Sequence, residues 1–483
     1  MGRFILVLLA LALLGAGVFV WFRGEGDAPQ IGVVAIGAVG APDRRAAVES
    51  IDLGRVPRSI ELIASDEGSG VRRIAARLRS ADGERELGAA ESPGGLLRGG
   101  AKPRLPFALP LELDAKALGL KEGDAFVVVE ARDWSLRDWL NGNAATLEIP
   151  LRVDLRPPRV SISNGITYLK RSGSGAAYYS VTEDSVRDGV EVGDRSYRGF
   201  PRKGGAPTDR VALFAIARDQ GPEIGPRVFA EDRAGNRIAI GWSTELKDTG
   251  FPEEEIELEG IPSILNERVP DLAGAFGYDA DDPVAAFKRI NSEGRAQNEA
   301  RVREIVRESG AERMFDGPFT QMRNSKVTSR FAEHRTYSYK GERISEAIHY
   351  GYDLAVTKGA PVEAANRGKV LFAEDLGIYG NCVILDHGLG LTSLYGHLAQ
   401  IDVEPGQLVE KGARLGRSGH TGLAGGDHLH FAILVGETYV DPVEWWDAKW
   451  VREKIDEVGG FAPEPPAESA QTAPVAAAAA AAQ

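Results

Sequence analysis

The run from Phe4 to Phe22 (FILVLLALALLGAGVFVWF) is 19 residues long and carries no charge. At 1.5 Å per residue a helix of that length spans about 28 Å, close to the roughly 30 Å hydrocarbon core of a bilayer. Arg3 and the α-amine precede the run, and Arg23, Glu25 and Asp27 follow it. That modest positive-inside bias keeps the N-terminus cytoplasmic and puts the rest of the chain outside. The expectation is a single-pass anchor over residues 1–23, with Trp21 at an interfacial belt position. A cleaved signal peptide is the alternative reading. Gly15-Ala16-Gly17 offers small residues but lies inside the run, and Val20-Trp21-Phe22 closes it without a small-x-small site just beyond. On either reading the body from about residue 24 onward is extracytoplasmic.

That body is long enough for about three domains. The net charge of −13 gives nothing to neutralise a phosphate backbone, so no nucleic-acid partner is expected. Cys382 is the single cysteine, which rules out an intrachain disulfide and a Cys-rich zinc module.

Residues 50–154 read as short strands separated by turns. Ile60, Leu62 and Ala64 alternate with Glu61 and Ile63, Asp66-Glu67-Gly68-Ser69-Gly70 breaks the run, and Phe126-Val127-Val128-Val129 starts another. The pattern restarts over 155–245, where Ala230-Glu231-Asp232…Gly235-Asn236 echoes Ala131-Arg132-Asp133…Gly142-Asn143. Two tandem β-sandwich modules would produce this repetition, and they resemble bacterial immunoglobulin-like repeats of the cell envelope, with a spacer role expected and a ligand-binding role as the alternative. Residues 251–325 change to helical spacing. Asp282 is a good N-cap before Pro283, and Val284, Phe287, Ile290, Val302, Ile305 and Val306 form the apolar face. Asn291-Ser292-Glu293-Gly294 is expected to break this connector into two helices. The Ala/Pro-rich tail, 459–483, reads as disordered.

Most of the seven histidines fall between His349 and His430. Three patterns occupy this block: His349-Tyr350-Gly351-Tyr352-Asp353, Tyr395-Gly396-His397-Leu398, and His428-Leu429-His430-Phe431. Phe431-Ala432-Ile433-Leu434-Val435 continues the third as a strand, so His428 and His430 point to one face. Catalytic zinc sites take three His or carboxylate ligands and leave one position for water. His349, Asp353 and His430 would supply that set, with His397 and His428 as free imidazoles.

The block resembles the M23 peptidase family, the lysostaphin-like or LytM-type zinc endopeptidases of bacterial cell walls. The resemblance runs from about Ser329 to Pro442. It includes Gly359-Ala360-Pro361-Val362, Gly380-Asn381 with His387-Gly388, and the glycines from Gly406 to Gly422 that lead into His428-x-His430. It implies one Zn2+ per chain held by His349, Asp353 and His430, with His397 and His428 as the catalytic pair. The implied fold is a mainly antiparallel β domain over 326–450.

Asp427 stands where a proline is common in the family. It reads as a water-facing loop residue, the alternative being a hydrogen bond to a catalytic imidazole. His420 belongs to the cleft rim at most, His387 and Cys382 read as structural, His334 as surface, and Ser329-Arg330-Phe331 as the entry to the domain.

The whole is expected to be mainly β: transmembrane helix, two Ig-like modules, helical connector, peptidase domain. The function implied is an endopeptidase cutting peptidoglycan cross-links at the bacterial inner membrane, with the catalytic domain periplasmic. Its partners would be peptidoglycan, the membrane and envelope proteins. A non-catalytic scaffold or amidase activator is the alternative, and a peptidase for envelope proteins a third. The connector precedes the catalytic domain and is a candidate to occlude its groove.

Overall fold

The computed structural model describes residues 2–457 apart from 25, 39–40, 45–49, 101–105, 183 and 222, and leaves out the side chains of 2–10, 22–23 and 35–44. The expected disordered tail, 459–483, lies outside the described residues. Two compact units emerge. One is Met1–Pro158 with Asp184–Val186 and Glu231–Ile238, and the other is the remainder of the chain.

The first unit opens with one helix, Gly2–Arg23. Among the described residues no helix is long and apolar enough to cross a membrane. Two sheets follow. Strands Ala41–Arg44, Gln30–Ala38, Arg58–Ser65 and Phe107–Leu113 form one; Ile51–Leu53, Ala144–Val153, Gly123–Asp133, Val71–Ser80 and Gly83–Glu91 form the other. The period-two pattern works as elementary pleat geometry requires. Ile60, Leu62 and Ala64 turn inward to pack with Ile74, Val127, Val129 and Leu151.

The echoed Asp…Gly-Asn segments share a physical meaning. Asp133 accepts from Asn143 N at 2.7 Å and Asn143 Nδ2 at 2.8 Å. Asp232 accepts from Asn236 N and Nδ2, both at 2.9 Å. Each buried carboxylate closes a loop by satisfying an asparagine twice. Gly142 must be glycine, since its φ is +81° and a Cβ would meet Asp133 O at 2.3 Å.

In the second unit one sheet joins Val160–Ile162, Ser174–Val181, Asp209–Ala215 and Phe200–Pro201. This sheet is fastened to the C-terminal segment through buried polar contacts. Ser174 N donates to Glu444 Oε2 at 2.7 Å, Trp445 Nε1 to Ser174 Oγ at 3.0 Å, and Tyr178 OH to Ile455 O at 2.7 Å.

The connector begins with strand Glu253–Glu257, parallel to Glu333–Tyr339. Helix Val269–Phe276 follows, and Asp282 then caps helix Pro283–Arg289 as its position predicts, accepting from Val284 N and Ala285 N. The expected break at Asn291–Gly294 does not occur. Ile290–Gly294 is a π-helical turn that joins Pro283–Arg289 to Arg295–Val306 with helical backbone angles on both sides. The extra residue in that turn aims Asn291 Nδ2 at Ser345 Oγ, 2.8 Å away, while Gly294 leaves room for Phe276.

The C-terminal region is built on an antiparallel eight-stranded sheet. Its main order is Lys326–Ser329, Tyr352–Ala355, Leu429–Val435, Leu391–Leu398, Asn381–Gly388, Gly368–Asp375 and Leu408–Val409. The central hairpin is buried on both faces, in keeping with the apolar run Cys382–Leu385 in its first strand. Cys382 is fully buried there, and burial pushes its thiol up.

His387 is also structural. Its Nδ1 donates to Arg367 O and its Nε2 meets Ser393 Oγ, both at 2.7 Å, and burial lowers its pKa to about 4. The unfolded chain therefore takes up this proton first. The stabilisation from neutral His387 is fully present above about pH 6.5 and is lost as pH falls to about 4, roughly 3 kcal/mol in all. Urea unfolding of His387→Gln between pH 4 and 7 should show that much less pH dependence than the parent. Parallel curves would assign the acid sensitivity elsewhere.

Candidate metal centre

His349 ends strand Glu342–His349, opposite Glu333. Its Nδ1 lies 2.9 Å from Arg330 O. A carbonyl can only accept, so Nδ1 carries the proton and Nε2 presents its lone pair. That lone pair faces Asp353 Oδ1 at 2.9 Å and His430 Nδ1 at 3.1 Å. Asp353 and His430 stand directly opposite each other on paired antiparallel strands, with Oδ1 and Nδ1 3.0 Å apart. All three residues are buried.

Two acceptors facing each other at 2.9 Å repel unless a proton or a cation lies between them. The chemistry of the donor set, two imidazoles and a carboxylate oxygen, fits a borderline divalent cation such as zinc. His430 Nε2 is buried with no hydrogen-bond partner among the described residues. Gly351 makes this packing possible, because a Cβ there would sit 2.5 Å from His430 Cε1 and 2.8 Å from Phe431 O.

His397, near the end of its strand, adopts φ +61°, an uncommon backbone for a non-glycine residue. Its Nδ1 donates to Thr421 O at 2.8 Å, which frees Nε2. His428 lies just before the strand, bridged to Gly419, and its Nδ1 donates to Gly426 O at 2.8 Å. Its Nε2 is 3.5 Å from Asp353 Oδ1. The His397 ring is 4.8 Å from that of His428 and 5.8 Å from that of His430. The five residues singled out from the sequence thus share one site.

The electrostatics separate them. Burial, joined by the neighbouring His428 and His430, holds His397 well below the ordinary imidazole range. Burial lowers His430 to about 4. Burial also opposes charge on His428, but the Asp353 carboxylate outweighs it and raises that pKa. Asp353 is held well below the usual carboxylate range, because His349, His428 and His430 outweigh its desolvation.

Asp427 departs from expectation. It is half-buried and braces the loop, accepting from Ser418 Oγ at 2.7 Å and Gly359 N at 3.2 Å. His420 is exposed, and His334 contacts Glu346 at 3.2 Å on the periphery. Sequence reasoning missed Arg335, which donates to Asp353 Oδ2 at 2.9 Å, and Tyr379, whose ring lies 5.5 Å from that of His430. Neither belongs to a histidine pattern. The connector, a candidate from the sequence to occlude the groove, contributes to the lining of the site. Glu254, Ile256, Ile261, Ile264 and Phe287 share with the five site residues a cavity of about 370 Å³.

Residues 347–442 match Peptidase family M23, so this segment is an M23 peptidase domain. Among curated relatives, the peptidoglycan DD-endopeptidase ShyB of Vibrio cholerae is 34% identical over 119 residues, 25% of this chain and 27% of that protein. The DD-carboxypeptidase/endopeptidase Mpg of Neisseria meningitidis is 36% identical over 96 residues, 20% of this chain and 22% of that one. The chain thus spans about a quarter of the length of the curated relatives it matches. Among solved structures, the catalytic domain of lysostaphin from Staphylococcus simulans is 30% identical over 26% of this chain and 92% of that chain, with a TM-score of 0.22.

The contact at Gly351 gives a direct test. Gly351→Ala should push the His430 ring off Asp353 and weaken divalent-metal binding roughly 10–100-fold, read by competition with a chromogenic chelator. Parental affinity would mean that the ring can move without loss of the site.

Proposed function

We propose that this protein is a zinc endopeptidase that hydrolyses peptide cross-links of bacterial peptidoglycan. The observation that carries the reading is the convergence of His349, Asp353 and His430 beside two further imidazoles, His397 and His428, whose Nδ1 atoms are taken by main-chain carbonyls so that Nε2 is presented to the site. The names of the curated relatives support the substrate class. Zinc supplies Lewis-acid activation of water and of the scissile carbonyl. His397 Nε2, kept unprotonated by burial, accepts the proton released in the attack. His428 Nε2, favoured in its protonated form beside Asp353, donates to the developing oxyanion or to the departing amine.

The proposal places the chain at the inner membrane, anchored by its N-terminal helix with the domain in the periplasm. The uncharged run Phe4–Phe22 supports this, as does the exposure of Leu13, Leu14 and Trp21 on that helix. Full-length protein in detergent, loaded with zinc, should convert cross-linked muropeptides of isolated sacculi to monomers. Chelation and His430→Ala should abolish this, and His397→Ala should cost at least 100-fold while keeping its metal. A zinc-loaded parent that leaves cross-links intact would favour a scaffold, an amidase activator or a peptidase for envelope proteins.

The lining of the cavity by the connector supports a second element of the reading, restricted access. Ile261 packs where a Cβ on Gly425 would meet it at 2.9 Å. Ile261→Asp should loosen this contact and raise turnover several-fold. An unchanged or lower rate would show that the docked connector does not limit entry.

A further inference from the structure

Arg335 stands behind the metal-binding carboxylate. Its Nη2 donates at 2.9 Å to Asp353 Oδ2, while Oδ1 is the oxygen that faces His349 and His430. The guanidinium is hemmed in by two more carboxylates. Glu333 lies 3.5 Å away on the same strand, and Glu254 lies 3.4 Å away on the connector strand. Glu254 and Arg335 are register partners in the parallel pairing of those strands, so the backbone itself sets this approach. Three carboxylates around one guanidinium leave a formal deficit of two positive charges, the charge of one divalent cation.

We propose that Arg335 is a positioning residue for the metal centre, and that Glu254 of the connector holds it in place. This rests on the reading that His349, Asp353 and His430 bind the metal. The planar fork of a guanidinium engages oxygens in fixed directions, which a lysine ammonium does not. By occupying Oδ2 it fixes the Asp353 rotamer so that a single oxygen is presented to the two imidazoles. Outer-shell partners of this kind typically change metal affinity by 10–100-fold when removed. The connector is then part of the construction of the metal site as well as of its cavity.

The test uses the full chain in detergent, stripped by a chelator and titrated with zinc against a chromogenic competitor. Cobalt(II) absorption spectra report the ligand geometry, and thermal unfolding of the metal-free forms reports folding. Arg335→Met should weaken zinc by roughly 10–100-fold and alter the cobalt spectrum. Arg335→Lys should lie between Arg335→Met and the parent, because it keeps the charge and loses the fork. Glu254→Gln should weaken zinc by a smaller, several-fold amount. Should Arg335→Met fail to fold, Arg335→Lys decides. Parental affinity and spectrum in the folded Arg335 variants overturn the proposal, provided His430→Ala has lost zinc. Parental affinity in Glu254→Gln overturns the part played by the connector. Zinc bound equally well by His430→Ala would instead overturn the underlying assignment of the ligands.

Discussion

The pairing of Asp353 with His430 across two antiparallel strands is the constraint on which the rest of the site depends. A buried carboxylate beside two imidazoles carries a desolvation cost that flexible loops could not meet, because the groups would separate and find water. A ladder of backbone hydrogen bonds denies them that escape. His430 is paired on its other side with Gly396, so its strand is held from both directions and its ring position is over-determined. His349 enters from a different sheet and is fixed by the carbonyl of Arg330 instead.

Tautomers are set by the same economy of means. Three histidines, His349, His397 and His428, donate Nδ1–H to a main-chain carbonyl and so present Nε2. His430 does the opposite and uses Nδ1, which leaves its other nitrogen without a partner. The difference follows from where the rings sit. The first three lie beside loops or strand ends, where a carbonyl is free to accept, whereas His430 lies inside a paired strand.

The site was legible in the sequence to the extent that it is local. His349 and Asp353 are joined by a tight turn, and His428 and His430 belong to one strand entry, so short spacings carry their geometry. Arg335 is invisible to such reasoning, because its contact with Asp353 depends on the packing of separate sheets and its own strand shows no distinctive pattern. The helical connector was legible from its cap and its apolar spacing, but its continuity was not. Asn291 and Gly294 look like a break in one dimension, yet in the structure Asn291 reaches Ser345 and Gly294 makes room for Phe276. Asp427 was misjudged for a similar reason, since Gly359, one of the two groups that engage it, is distant in the chain.

The Asp…Asn bracket shows a case where repetition in sequence did carry structure, because each carboxylate is satisfied within its own loop. The seam at Glu444 and Trp445 shows the reverse. These side chains of the C-terminal segment lodge against Ser174, and burial raises Glu444 to about 7 while Lys170 offsets part of that effect. The evolutionary unit that families share and the physical unit that keeps its interior dry therefore have different edges. A gene fusion or truncation drawn at the family boundary would cut through a core, and a boundary near residue 159 would leave that core whole.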